Sequence, residues 1–109
     1  MATFFRNTVL KEVGTAEVVL YESGINERST VIGLSLTNLT NDFVYVDVTL
    51  TDDQNVTAFY VKQALVAANT SLRLVTEGEK LIVAPSNKLS LTASVPASID
   101  AILSYVEVI

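Results

Sequence analysis

The residues best equipped for chemistry in this chain are few, and they sit apart. Asp52-Asp53-Gln54-Asn55 is the densest group of oxygen ligands. Carboxylate and amide oxygens suit Ca²⁺, but a calcium loop spreads its ligands over about twelve residues, with a glycine at the bend and a closing glutamate. This run has neither, and Asp and Asn side chains bond readily to nearby backbone in turns, so it reads as a turn. As an acid–base pair it fares no better. Two catalytic carboxyls must face each other across a cleft, whereas neighbours on a strand point to opposite faces. Glu77, Glu79 and Lys80 flank Gly78 and read as a charged hairpin tip. Gly14, Gly24, Gly33 and Gly78 form no phosphate-cradling pattern. No nucleophile-elbow sequence surrounds any serine.

The inventory narrows the field further. The chain has no cysteine, no histidine and no tryptophan. Disulfides, thiolate metal sites and thiol nucleophiles are excluded, and the commonest general base and metal ligand is missing. The expectation is a protein that is not an enzyme, with no catalytic, cofactor-binding or metal-binding residues. The basic residues Arg6, Lys11, Arg28, Lys62, Arg73, Lys80 and Lys88 are spread singly against 12 acidic ones, giving a net charge of −5. No basic cluster exists to neutralise phosphates, so no nucleic-acid partner is expected. Met1 to Arg6 lacks the pattern of a signal peptide, and no apolar run approaches a membrane helix. Folding in a cytosol is expected, with no membrane partner. Asn38-Leu39-Thr40, Asn55-Val56-Thr57 and Asn69-Thr70-Ser71 match the glycosylation pattern but read as turn chemistry in that compartment.

What remains is contact chemistry, and it depends on the elements that present it. Half of the 109 residues are apolar, enough for the core of one domain spanning residues 1–109. A period of two dominates. Val44, Val46, Val48 and Leu50 share a face opposite Phe43, Tyr45, Asp47 and Thr49. Leu89, Leu91, Ala93 and Val95 alternate with Ser90, Thr92 and Ser94. Ile32, Leu34 and Leu36 are expected inward, with Val31, Gly33 and Ser35 outward. Further strands are expected over 4–12, 16–21, 57–63, 71–76, 79–84 and 101–109. Turn residues separate them at 23–26, 40–42, 52–55, 77–78, 85–87 and 96–98. The short turn at 40–42 predicts a hairpin over Thr30–Asp47. Tyr60 to Ala68 is the one helical candidate, with a strand followed by a loop preferred. The fold class is all-β: a single-domain β-sandwich, jelly-roll-like, of eight or nine short antiparallel strands.

On that frame Phe43 and Tyr45 point outward from one strand, and Phe4-Phe5 put two aromatics near the terminus. Exposed aromatics are enriched at protein interfaces, so Phe4, Phe5, Phe43 and Tyr45 are the candidate interface residues. In a second reading, a carbohydrate- or surface-binding module, Tyr45, Tyr60 and Tyr105 would line one groove, with Ca²⁺ near Asp52 and Asp53.

The order of these segments resembles a group of small virion structural proteins of tailed phages, especially marine cyanophages with contractile tails. The matching stretches are Val18-Val19-Leu20-Tyr21, Thr30 to Asn38 closing on an N-x-T, Val44-Tyr45-Val46-Asp47-Val48, Thr57-Ala58-Phe59-Tyr60-Val61-Lys62 and Leu103-Ser104-Tyr105-Val106-Glu107-Val108-Ile109. The resemblance runs roughly from Phe5 to Ile109. It departs at Ser23 to Glu27, where a Pro and Gly turn is usual, and at Ala68-Asn69, where a glycine turn is usual. Asn tolerates positive φ. The resemblance implies a virion component that binds other virion proteins, with capsid decoration or cement as the first expectation and neck, tail or baseplate as the alternative. Self-association, as a trimer for instance, goes with it. No catalytic residue carries over.

Overall fold

Strict alternation over residues 44–50 determines the local structure most directly. The computed structural model describes residues 2–75 and 80–109. In it Val44, Val46 and Val48 are fully buried on β4 (Val44–Thr51), while Phe43 and Tyr45 face out. The other strands are β1 (Thr3–Val13), β2 (Val18–Glu22), β3 (Arg28–Asn38), β5 (Thr57–Val66), β6 (Ser71–Val75), β7 (Leu81–Val83), β8 (Lys88–Ala93) and β9 (Ile99–Val108). The stretch weighed as a helix is strand up to Val66, consistent with its β-branched and aromatic content.

Two antiparallel sheets pack face to face. One has the order β1-β9-β3-β6, with β7 also paired to β3; the other is β2-β8-β4-β5. Val75 lies opposite Leu34 and Leu81 opposite Val31, so β6 and β7 follow one another along the same side of β3 as a single broken edge strand. Counted that way, eight strands cross between two four-stranded sheets in the arrangement of a jelly roll. Leu20, Leu34, Leu36, Leu89, Leu91, Ile99 and Leu103 interdigitate between the sheets. Each such side chain removed from water contributes about 1.5–3 kcal/mol.

Two sequence expectations are corrected. Thr30–Asp47 is not a hairpin: β3 and β4 lie in different sheets. The reason is Asn38, which is buried. Its Nδ2 donates to the carbonyls of Asp42 (2.8 Å) and Val66 (3.0 Å), while its Oδ1 accepts from the backbone N–H and hydroxyl of Thr40 (both 2.8 Å). The short turn is a corner that hands the chain from one sheet to the other. The second correction concerns β3. Its register slips between Val31 and Gly33, and a bulge reverses which residues face inward. Val31 is fully buried and Ile32 is 43% exposed, the opposite of simple alternation.

The turns follow their chemistry. Asp52 Oδ1 accepts from the N–H groups of Gln54 and Val56, both at 2.9 Å. Asn69 adopts φ 54° where a glycine is usual. The tip expected at Glu77-Gly78-Glu79 lies outside the described residues.

Candidate interaction faces

The outer face of the β1-β9-β3 sheet carries a run of exposed apolar side chains, and its rows follow from register. Phe5 lies beside Val106, which lies beside Thr30, which lies beside Ile82. The next row is Asn7, Ser104 and Gly33; the third is Val9, Ile102, Ser35 and Arg73. Phe5 is 81% exposed, and Val9, Ile82 and Ile102 are about half exposed or more. Arg73 brings the one charge to these rows, at their far edge. Where β6 gives way to β7, the bulge at Ile32 opens a hollow of about 410 Å³ lined by Ile32, Ser35, Arg73, Ile102 and Ser104.

The outer face of the second sheet is different. Phe43 and Tyr45 meet edge to face at 5.4 Å, and Leu65 lies opposite Tyr45. Past that corner the face turns polar, with Asp47, Thr49 and Thr92. Asp47 Oδ1 accepts from the N–H of Gln63 at 2.7 Å, and Lys62 sits 5.1 Å over the Phe59 ring.

The four sequence-nominated residues are therefore not one site. Phe5 belongs to the first face, Phe43 and Tyr45 to the second, and Phe4 points to the inner side of β1 beneath the Arg6 guanidinium at 4.9 Å. The groove proposed for Tyr45, Tyr60 and Tyr105 does not form. Tyr105 is buried and stacks on Tyr21 at 4.4 Å, because its position on β9 shares parity with Leu103 and faces the core. Sequence reasoning missed Val9, Ile82, Ile102 and Val106. On β9 both faces are apolar, so alternation there is hidden in a continuous apolar run.

It also missed an internal polar cluster. Glu107 is buried; Arg6 Nε donates to its Oε1 at 3.0 Å and the Tyr21 hydroxyl to its Oε2 at 3.1 Å. Ser29 Oγ lies 2.7 Å from the same hydroxyl. Burial pushes the Tyr21 phenol above its ordinary value. Bonds to Ser29 and Ser23 pull it back, and the bond to Glu107 and its charge push it further up. Among the described residues no group of acidic side chains is placed to hold a metal.

The topology is similar to that of chains in virus particles. A chain of the T13 particle of infectious bursal disease virus superposes with a TM-score of 0.55 at 11% identity, over 96% of this chain and 30% of that one. A chain from the Gx strain of the same virus gives 0.54 at 11% identity, over 95% and 32%. The fold is a jelly roll like the part of these virus chains that it covers. At this identity the likeness is one of fold, and the chain spans about a third of the length of the virus chains it matches. No protein family matches the sequence, and no curated protein is similar to it.

Proposed function

We propose that the protein is a virion structural protein that works by contact rather than by turnover, an accessory jelly roll docking on other virion proteins of a tailed phage. The observation that carries this reading is the largely apolar outer face built from Phe5, Val9, Ile82, Ile102 and Val106, with Arg73 at its far edge, on a fold like that of virus chains. A face this apolar is the mark of a surface that is covered in use. Decoration of the capsid is the first choice of location. Subunits bound to an assembled shell would resist its disassembly by mass action.

The test is to tag the chain and image intact particles. Regular labelling of the capsid supports decoration, labelling of neck, tail or baseplate moves the same role elsewhere, and absence from particles defeats the reading. A Val9→Glu, Ile102→Glu variant should fold and yet be lost from particles.

A further inference from the structure

Four edges of the two sheets are open, and three are spoiled as templates for another strand. β2 is five residues long and slips register between Val19 and Tyr21. β5 slips twice against β4 and holds Gln63 at φ 52°. The edge beside β3 is lined by two short strands, β6 of five residues and β7 of three. β1 is unlike them: it pairs with β9 without a shift from Thr3 to Leu10. That stretch has no proline, and Arg6 is its only charge. Native proteins usually blunt such an edge. Here residues 2–7 are exposed throughout.

The backbone groups on offer can be identified. Ala2 and Ile109 exchange both backbone hydrogen bonds at 3.0 Å. Bonded pairs alternate along an antiparallel ladder, so Phe4, Arg6, Thr8 and Leu10 spend their N–H and C=O groups on β9. Thr3, Phe5, Asn7 and Val9 aim theirs at the open edge.

We propose that this edge pairs antiparallel with β1 of a second copy of the chain, with the two-fold axis at Asn7. A two-fold axis perpendicular to a sheet sets like parity against like. Centred on Asn7, it places Phe5 opposite Val9 on the outer face, and Phe4 opposite Leu10 and Arg6 opposite Thr8 on the other. No like charges meet. Phe5, Asn7 and Val9 each donate and accept once across the axis. A register centred on Phe5 pairs only Thr3 to Asn7 within the regular stretch and leaves Thr8, Val9 and Leu10 outside it. One centred on Val9 runs into the bulge at Glu12, which has φ 54°. The pairing is isologous and closes as a dimer rather than the trimer expected from sequence. It also continues the apolar rows from one copy into the next. It goes beyond the docking reading, and pure protein without particles decides it.

The chain has no cysteine, so one introduced thiol gives a clean signal. Opposed residues in a bonded antiparallel pair have Cα atoms about 5.5 Å apart, within disulfide reach. On oxidation Asn7→Cys should form a covalent dimer. Phe5→Cys and Val9→Cys should not do so alone, and their mixture should. By sedimentation equilibrium the native chain should show a reversible dimer, weak because the contact is small. Asn7→Pro gives up no bond to β9. It should keep the β-type circular dichroism and weaken the dimer by about tenfold or more, a shift of one decade in Kd. Failure of Asn7→Cys to cross-link overturns the proposal. So does a dimer undiminished in folded Asn7→Pro, which would place the contact on another surface. If Asn7→Pro does not fold, the cross-linking series decides alone.

Discussion

Tyr21 donates its hydroxyl proton to Glu107 Oε2 at 3.1 Å, joining β2 of one sheet to β9 of the other through the inside of the sandwich. Replacing Tyr21 with Phe should cost about 0.5–1.5 kcal/mol at neutral pH, the usual net worth of such a bond. The alkaline limb is more telling. The phenol is raised in the folded state, chiefly by burial, so above about pH 10 the unfolded chain releases its proton first. Stability from this group is therefore whole below about pH 10 and falls as pH rises past it. Urea midpoints across that range should drop more steeply for the native chain than for Tyr21→Phe; parallel curves would remove Tyr21 as the cause.

Asn38 offers a second test. Both of its amide hydrogens and its oxygen are engaged inside the corner between sheets. Asn38→Ala should cost about 2 kcal/mol or more, because the carbonyl of buried Val66 loses this donor and the corner loses its ties to Asp42 and Thr40. Asn38→Asp should be worse, since it replaces that donor with acceptors facing carbonyls. Thermal melts of the three proteins should rank native, Ala, Asp. An unchanged Asn38→Asp would mean the corner is held by something else.

The strands and the core of β4 and β8 were legible in the sequence because one face of each is apolar and the other is not. Connectivity was legible less far. A three-residue turn signal at 40–42 is the same for a hairpin and for a corner, and the difference lies in Asn38 reaching Val66, a contact distant in sequence. The candidate faces were half legible. Phe5, Phe43 and Tyr45 are exposed as expected, but which aromatics share a surface depends on sheet assignment, which alternation within one strand does not encode. Tyr105 was read outward because nothing local marks its parity on β9.

The bulge in β3 makes a paired prediction that simple alternation would reverse. Val31→Asp should unfold the protein or cost more than about 4 kcal/mol, as a charge buried without a partner does. Ile32→Asp, one residue on, should stay within about 0.5–1 kcal/mol of native, as exposed substitutions do. Val46→Asp should behave like Val31→Asp, since Val46 is fully buried on an unbulged strand. Circular dichroism melts separate the outcomes, and a well-folded Val31→Asp would mean that the register slip between Val31 and Gly33 is misplaced.

Ser90 supplies a prediction of the opposite sign. It lies on the outward side of β8, between Val19 and Thr49, yet it is 1% exposed and its Oγ has no hydrogen-bond partner among the described residues. A buried hydroxyl without a partner forfeits its hydration and gains nothing in return. Removing it leaves only a small loss of contact, because Ser and Ala differ by that one oxygen. Ser90→Ala should therefore stabilise the protein by about 1 kcal/mol, which for a domain of this size raises Tm by about 4–8 °C. A fall in Tm would show that the hydroxyl is satisfied in solution, and that the flank of β8 between Val19 and Thr49 admits a water.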